Sequence, residues 1–513
     1  FFNMNSVQIF LFLLFTHQLA SAACPAVVHE SLLEPQSHGV KLEVLASAGH
    51  KIGQTAYRLV GVGDGLGIYS RDSRTAVVLM NHELRKNMGV KRAHGFSAAF
   101  VSKWVLDTRT RKLLHGEDQI KNIWVYDSIQ STLKSASTRL EQLCSADLPL
   151  KSALAFKTRH GFYGTSARIF FSGEELSTQY SSRFGRAFAH VLTGPFASTS
   201  FELPKLGKLA FENIVLSPYP QKQTVAMLLD DTTNHSYTRE QLGSLRDVIK
   251  KKPPSELYLY LGTKQSVGNT PIEKAGLTNG SLYGVRVIHA SREDREWGWG
   301  KDRYLGTARF DLHSFGDVSK DVTGWQLQED SIKNQVTQFL RVEDGVWNTL
   351  AGKQNEFYFT TTDQFKNGNT RLHRLTFDDI TQPLKGGRIE IVLNGRDHAM
   401  KMLDNITLDP WGRILMQEDP GAKGENYRAR IWLFNPMNAK VVPIAQHKQK
   451  YFQTGQPQYL TNNEESSGII PAFDALGAGW YLLNVQAHAC HSDREIVQHG
   501  QLVALYVPQN LGQ

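Results

Sequence analysis

The sequence is poor in cysteine: only Cys24, Cys144 and Cys490 occur among its 513 residues. Three thiols cannot build a disulfide framework, and their spacing excludes a CxxC zinc knuckle. If the protein is exported, a single disulfide could form, and the sequence does not say which pair makes it. Stability must come mainly from a packed core, for which this length and 41% hydrophobic residues are ample.

Long apolar runs and blocks of one charge are also missing beyond the N-terminus. No later segment is long and apolar enough to span a bilayer, so we expect no transmembrane segment. The formal net charge is +8, but the positive residues are dispersed. We find no basic helix and no aromatic-plus-basic ladder of the kind that binds nucleic acid, and we therefore expect no nucleic-acid partner.

The N-terminus contains one apolar run, from Val7 to Phe15, which is too short to cross a membrane. Ala20-Ser21-Ala22 follows and fits a signal-peptidase site. We predict that residues 1–22 are a signal peptide and that the protein is exported to the periplasm or the extracellular space. A lipid anchor on Cys24 is an alternative, but Ser21 stands where a lipobox has Leu.

Short apolar strands separated by Gly, Asp, Asn and Pro turns fill the rest of the chain, as in "SELYLYLGT" and "GRIEIVLNG". Helical periodicity is rare, and the clearest candidate helix runs from Ser131 to Leu143. Strand pairs at this spacing favour a β-propeller or another large all-β fold. We predict one domain over residues 23–513, with a polar insertion around 291–335.

One pattern recurs: an apolar run meets one or two acids, as in "VVLMNHE", "IFFSGEE", "VAMLLDD" and "RILMQED". In a propeller such acids would converge on one pole, and buried like charges need a cation to neutralise them. Hard cations such as Ca²⁺ take six to eight oxygen ligands, which such a pole could supply. The residues in this pattern or directly beside it include Glu83, Glu174, Glu175, Glu212, Asp230, Asp231, Glu343, Asp404, Asn405 and Asp419.

Ordinary turn chemistry is the alternative for any single acid, since Asp and Glu are common at strand ends. Asp363 fits that description best. Glu464 and Glu465 could be a further acid site or a loop. The "HACH" phrase, with His488 and Cys490 on one strand face, suggests zinc or an ordinary strand.

Several longer phrases resemble the PhoX-type alkaline phosphatase family: "LCSADLP", "RIFFSGEE", "IEKAGLTNGSLYGV", "FLRVEDG" and "MLDNITLDPWGRILMQEDPG". The similarity extends over roughly residues 40–508. The resemblance implies a secreted or periplasmic six-bladed β-propeller that hydrolyses phosphate monoesters. It also implies several metal ions, calcium together with iron, at one end of the central channel.

Carried over by motif, the resemblance implies catalytic roles for Arg341, which would contact phosphate, and for Glu343. The implied metal ligands are Glu83, Glu174, Glu175, Glu212, Asp230, Asp231, Glu343, Asp404, Asn405 and Asp419. One position departs from the family, because Gly173 stands where the phosphatases carry a Cys that binds iron. The sequence therefore favours calcium over iron.

Our leading interpretation is a monomeric, secreted, calcium-dependent phosphatase acting on a small anionic phosphate ester. Calcium at a propeller pole also serves lactonases and phosphodiesterases, which gives a second interpretation. A third is a non-catalytic binding propeller stabilised by calcium. Loss of the Cys at Gly173 favours the second and third interpretations.

Overall fold

The computed structural model describes residues 24–513, except 179, 180, 182, 297, 300–305, 321, 367 and 423–426. The predicted signal peptide lies outside these described residues. Strands make up most of the regular structure, which confirms the all-β class.

The N-terminal strands and the first sheet come from residues 33–118. β5 to β8 form a four-stranded antiparallel sheet in chain order, and β3 and β4 form a small ribbon. The strands are β1 (Leu33–Pro35), β2 (Lys41–Ser47), β3 (Lys51–Ile52), β4 (Tyr57–Arg58), β5 (Gly63–Ser70), β6 (Thr75–His82), β7 (Phe100–Asp107) and β8 (Lys112–Asp118).

The second sheet has six strands, and a separate hairpin projects from it. The strands are β9 (Asn122–Asp127), β10 (Thr132–Ser135), β11 (Leu143–Asp147), β12 (Ala155–Thr158), β13 (Gly161–Gly164), β14 (Ile169–Glu174), β15 (Ala187–Val191) and β16 (Thr199–Glu202). The strand order is β10-β9-β16-β15-β14-β11, and β12 pairs only with β13 in the hairpin.

The third sheet is a path of nine strands in the order β17-β18-β19-β20-β21-β26-β25-β24-β23, with β22 paired to β19. The strands are β17 (Phe211–Leu216), β18 (Gln223–Asp230), β19 (Ser255–Thr263), β20 (Ser281–Val287), β21 (Thr307–Gly316), β22 (Gln338–Phe339), β23 (Val342–Trp347), β24 (Glu356–Thr361), β25 (Arg371–Phe377) and β26 (Gly387–Asn394). β21 joins two groups of four antiparallel strands.

The last two sheets use strands from both ends of the chain. The strands are β27 (Leu403–Leu408), β28 (Ile414–Glu418), β29 (Arg430–Asn435), β30 (Lys440–His447), β31 (Glu464–Pro471), β32 (Trp480–Cys490) and β33 (Gln498–Tyr506). β1 adds to β30, and β2 adds to β33, so N-terminal strands complete both C-terminal sheets. A Cys24–Cys490 disulfide joins residues 466 apart in the sequence and reinforces this closure.

The helices are short and lie in connections. They are α1 (Lys151–Leu154), α2 (Gln241–Ser244), α3 (Arg246–Lys251), α4 (Pro271–Lys274), α5 (Gly324–Lys333), α6 (Gln449–Phe452) and α7 (Phe473–Leu476), with 3₁₀ turns at Pro204–Leu206, Pro383–Lys385 and Gly395–His398. None of the helices in the described ranges is long and apolar enough to cross a membrane.

Six strands, called the inner strands below, contact one another in a closed cycle. They are β5, β11, β17, β23, β27 and β31, and the last contacts the first. Each begins a run of four antiparallel strands that extends outward, and the core fills the spaces between neighbouring sheets. In the second sheet β9 then joins β16 in parallel. Buried aromatic residues such as Phe171 and Phe211 pack between the second and third sheets. The cycle fixes which inner-strand ends come together.

The helix predicted from Ser131 to Leu143 is wrong. Leu133 lies in β10 at a sheet edge, and Leu143 begins β11. Ser131 and Gln142 have left-handed φ values of 55° and 50°, which a continuous helix cannot contain. The leucine spacing therefore reflects separate extended segments that bury their side chains against different neighbours.

The insertion around 291–335 stays a prediction. Its described part supplies β21, which pairs with β20 and β26, and α5, which begins at a capping box on Thr323. This region thus contributes to a sheet instead of forming only a loop.

We expect Gly65→Ala to destabilise the protein because Gly65 lies where β5 meets β11. An added Cβ would stand 2.4 Å from the amide nitrogen of Ala146 and 2.6 Å from its Cβ. The overpacking should cost about 1–3 kcal/mol of unfolding free energy, measurable by thermal or denaturant unfolding. Gly243→Ala is the control, since a Cβ there meets no atom within 4 Å; equal stability of the two variants would contradict the close packing of the inner strands.

Candidate metal centre

The inner strands place equivalent side chains at one pole. The second residue of each of the six inner strands carries a metal-ligating group: Asp64, Cys144, Glu212, Glu343, Asp404 and Glu465. Because the strands contact one another in a cycle, these six side chains form a first ring. Five are carboxylates and one is a thiol.

A second ring follows from the register of each inner strand with its neighbour. The first residue of each inner strand pairs with a residue near the end of the strand beside it in the sheet, as Phe211 pairs with Asp230 and Leu403 with Glu418. The residue directly after each such partner is Glu83, Glu175, Asp231, Thr362, Asp419 or His488. Four of these six positions are acids.

The backbone is irregular where the inner strands begin, next to the two rings. The register shifts within all six inner-strand pairings, which is the mark of β-bulges. Val62, Gln142, Arg341 and Met402, each just before an inner strand, have left-handed φ values. Bulges re-aim side chains, and strained backbone of this kind gathers at functional sites.

The rings surround a cavity of about 860 Å³. It is lined by both ring and rim residues, among them Glu83, Cys144, Glu175, Glu212, Asp231, Arg341, Glu343, Asp404, Asp419, Glu465 and His488. Three groups of donor atoms lie within 4.8 Å of one another: Asp64–Glu83–Cys144, Cys144–Glu175–Glu212 and Glu212–Glu343–Asp404. These groups share members, so the donors form a continuous cluster.

The cluster is electrostatically unfavourable by itself. Burial, and then the neighbouring carboxylates, hold the pKa values of Glu212 and Glu465 well above their usual range. Burial likewise raises the pKa of the Cys144 thiol, and Asp64 and Glu212 raise it further. Oδ1 of Asp64 is buried and has no hydrogen-bond partner in the described part of the chain. A bound cation would relieve both the repulsion and the missing contact.

The alternation of side chains along a strand separates the two glutamates of "IFFSGEE". Glu175 faces the cavity, where Gln142 Nε2 donates to its Oε2 at 2.9 Å. Glu174 faces the other way and is fully buried. Arg183 Nη1 and Arg186 Nε donate to its Oε2 at 2.6 and 2.9 Å. Burial opposes the charge of Glu174, but these two guanidinium groups lower its pKa.

Asp230 and Asn405 also lie outside the cavity lining. Asp230 accepts hydrogen bonds from the Ala210 amide at 2.8 Å and from Gln328 Nε2 at 2.9 Å, and burial raises its pKa to about 8. Asn405 accepts from the Gly468 amide at 2.9 Å, and its Nδ2 lies 3.4 Å from Glu212 Oε1. Asp230 and Asn405 therefore lie behind the residues that line the cavity and hold neighbouring backbone and side chains in place.

The sulfur in the cluster comes from Cys144 and not from position 173. A Cβ at Gly173 would stand 2.3 Å from Phe211 Cβ, so a side chain there would meet the core. Cys144 Sγ lies 3.6 Å from Asp64 Oδ2 and is grouped with acids from both rings. The departure at Gly173 therefore does not leave the centre without a thiol.

Arg341 lies beside the cluster with its guanidinium group directed at two ring carboxylates. Its Nε and Nη2 donate to Asp231 Oδ1 and Oδ2 at 3.0 and 2.5 Å, and Nη2 lies 2.9 Å from Glu343 Oε1. The side chain is 25% exposed and lines the cavity. In the described part of the chain no hydrogen bond is made by Nη1. This arrangement leaves one edge of the guanidinium group for an anion.

Sequence reasoning missed part of the centre. Asp64 lies in a glycine-rich phrase, Cys144 stands alone in the sequence, and the sequence around Glu465 and His488 is compatible with more than one role. Asp363, assigned to a turn, lines the cavity and accepts from Asn234 Nδ2 at 2.9 Å. Strand position and cross-strand register identify the first four residues, and neither is given by local sequence signals.

Comparisons with known proteins reveal similarity in fold and none in sequence. No protein-family model and no curated protein matches the chain. The Pseudomonas fluorescens PhoX structure, solved in complex with vanadate, a transition state analogue, is similar with a TM-score of 0.61 at 11% identity, covering 94% of this chain and 97% of that one. The chain therefore has a PhoX-like fold.

Two further solved structures match with lower scores. A luciferin-regenerating enzyme gives a TM-score of 0.34 at 10% identity, covering 92% of this chain and 96% of that one. A protein of unknown function from Dyadobacter fermentans gives 0.38 at 7% identity, covering 91% and 99%. These scores are too low to support an argument.

We expect Glu175→Gln and Glu174→Gln to have different effects, although the residues are adjacent. Glu175→Gln should lower the divalent metal that copurifies with the protein, measured by elemental analysis, because it removes a charged donor from the cavity. Glu174→Gln should leave metal content unchanged but lower the unfolding free energy by about 3 kcal/mol, because two arginines lose a buried partner. Equal metal loss in both variants would contradict the assignment of the two faces.

We also expect the stability of metal-free protein to fall as the pH rises. A carboxyl group whose folded pKa is raised stabilises the fold fully below its usual pKa, 4.5 for Glu212, and this stability is lost as the pH rises through the raised value. After chelation the protein should melt several degrees lower at about pH 8 than at about pH 5. Added Ca²⁺ should remove the difference; a metal-free protein equally stable at both pH values would argue against a repelling cluster.

Proposed function

We propose that the chain is an exported, metal-dependent hydrolase of phosphate monoesters. The observation that carries the proposal is the pair of rings, in which register-equivalent positions of six strands supply a continuous donor cluster with Arg341 at its edge. The similarity of the fold to PhoX, solved with a transition state analogue, gives further support.

The proposed fold is a six-bladed propeller formed by residues 23–513. The closed cycle of six inner strands supports six blades. In this proposal the nine-stranded sheet consists of two blades, β17–β20 and β23–β26, connected along their outer edges by β21. The N-terminal strand β2 completes the blade of β31–β33.

The donor set fits hard cations with one softer site. Carboxylate oxygens from both rings suit Ca²⁺, and we propose Glu83, Glu175, Glu212, Asp231, Glu343, Asp404 and Asp419 as its ligands, joined by Asp64 and Glu465. Cys144 lies among Asp64, Glu83, Glu175 and Glu212 and offers a thiolate, which suits a transition metal such as iron. Glu174, Asp230 and Asn405 support this set and are not proposed as ligands.

The chain's own groups would hold and orient the ester. When bound, the cations would supply positive charge for the transferring phosphoryl group and would lower the pKa of a water molecule. Arg341 would bind the phosphate with the N–H groups that Asp231 and Glu343 leave free, and these two carboxylates fix the direction of the guanidinium group. Gln142 and Asn405 would hold Glu175 and Glu212 in place.

Export is supported by the Cys24–Cys490 disulfide, which requires an oxidising compartment to persist. The disulfide also occupies the only sulfur that a lipid anchor on Cys24 would use. We therefore propose that the protein is exported to the periplasm or the extracellular space without a lipid anchor on Cys24.

We expect Arg341→Lys to lower kcat/KM for a phosphate monoester by about 30- to 1000-fold, since a lysine keeps the charge and loses the planar contact. The assay is turnover of 4-nitrophenyl phosphate at fixed Ca²⁺ concentration. Arg286→Lys is the matched control, because Arg286 makes the same two-point contact to Asp311 at 2.8 and 2.8 Å in a pair that does not line the cavity.

Other substrates distinguish the alternatives. Turnover of a phosphodiester or a lactone without turnover of a monoester would support the second interpretation of the sequence. Metal-dependent stability without turnover of any of these substrates would support a binding propeller. Full monoesterase activity in Arg341→Lys would remove Arg341 from the site.

A further inference from the structure

The pole opposite the cavity carries a surface that the proposed function does not use. Each inner strand begins at the cavity, so its last residue lies at the far pole. β11 ends at Asp147 and β17 at Leu216, and the neighbouring β19 also ends there because Thr263 pairs with the first residue of β18. The connections that follow, residues 148–168, 217–222 and 264–270, therefore lie together at the far pole.

These three connections contain no acidic residue. Residues 148–168 carry Lys151, Lys157, Arg159 and Arg168, and the neighbouring connection carries Lys222. In the rest of the protein acids and bases are interspersed, and the cavity pole is rich in carboxylates. The far pole is thus basic where these three connections meet. The adjoining connection 378–386, whose Ile380 carbonyl accepts from Gln221 Nε2 at 3.2 Å, carries Asp378 and Asp379, and these acids pair with Arg309 and Lys385.

Several of these cations are exposed and without an anionic partner. Lys151, Lys157 and Arg159 are exposed, and no ion pair involves them within the described ranges. Lys222 Nζ lies 4.7 Å from the centre of the Tyr163 ring, which ties the second connection to the β12–β13 hairpin. Lys157 and Arg159, on the exposed hairpin, can therefore bind an external anion.

Apolar side chains stand among the cations. Phe162, on the hairpin strand β13, is 46% exposed, and Val267 is 77% exposed. The two segments are joined, because the Gly164 amide donates to the Gln265 carbonyl at 2.9 Å. Exposed aromatic and aliphatic groups between lysines and arginines are typical of proteins that lie on anionic membranes.

We propose that this surface docks the protein on an anionic lipid bilayer. The far-pole patch consists of Lys151, Lys157, Arg159, Phe162, Lys222 and Val267. The cations would meet lipid phosphates, and Phe162 would enter the headgroup layer. The cavity would then face away from the membrane and stay open to soluble substrate. A soluble polyanion would satisfy the cations but would give Phe162 no apolar contact, which is why we favour a bilayer.

The test is co-sedimentation of the full protein with vesicles. Wild type should pellet with vesicles of equal phosphatidylcholine and phosphatidylglycerol, and not with phosphatidylcholine alone. Lys157→Glu/Arg159→Glu should lower the partition coefficient by about 25-fold or more, since each basic residue near the surface contributes roughly a factor of five. Phe162→Ser should lower it by about tenfold.

The matched control is Lys86→Glu/Lys251→Glu, which makes the same charge change at exposed residues of the cavity pole. It should bind vesicles as wild type does, and unchanged melting temperatures should show that all variants fold. Equal binding by wild type and Lys157→Glu/Arg159→Glu would overturn the proposal. So would unaltered binding of Phe162→Ser, or retention on dextran sulfate without binding to vesicles.

Discussion

Repulsion between buried carboxylates is the interaction on which the cavity at one pole of this protein depends. Acids from several strands are brought into overlapping groups whose donor atoms lie within 4.8 Å of one another, in a cavity with few counter-charges. At low dielectric such a group cannot be fully ionised without a cation. The fold supplies the opposing force, because a closed cycle of packed strands cannot spread apart to separate the charges. A cavity of this kind therefore favours cation binding, because a cation relieves the repulsion that the fold cannot.

The backbone makes the convergence possible. Side chains alternate along a strand, so an acid doublet at a strand end sends one member to the cavity and the other to the core. The buried member is then satisfied by other means: Glu174 by two arginines, and Glu418 by Tyr427 Oη at 2.7 Å and Trp432 Nε1 at 3.0 Å. In each doublet, the carboxylate that faces the cavity lies among other acids of the cavity lining, and the carboxylate that faces the core forms hydrogen bonds that hold the strand end in place.

The two poles differ in charge for the same topological reason. Inner strands all start at the same pole, so their first residues, the bulges and the acids collect there, and their following turns collect at the other. The pairing of β1 and β2 with the two C-terminal sheets and the Cys24–Cys490 disulfide tie the ends of the chain to each other. A site at one pole and a basic surface at the other can then act independently.

The sequence by itself determined the all-β class and most of the acids that line the cavity. Alternating apolar residues and turn residues are local signals, and an acid directly after a strand, such as Glu83 or Asp419, can be found from its neighbours in the chain. Such signals do not say which member of a doublet faces inward, because a shift of one residue in register reverses every side chain.

Only the tertiary structure decided the membership of Asp64, Cys144, Glu465 and His488. These residues belong to the centre through cross-strand pairing and the cyclic packing of strands that lie far apart in the sequence. Cys144 is the clearest case: the chain places it in an unremarkable phrase about thirty residues before Glu175, and only the packing of β11 against its neighbours brings its sulfur among the carboxylates.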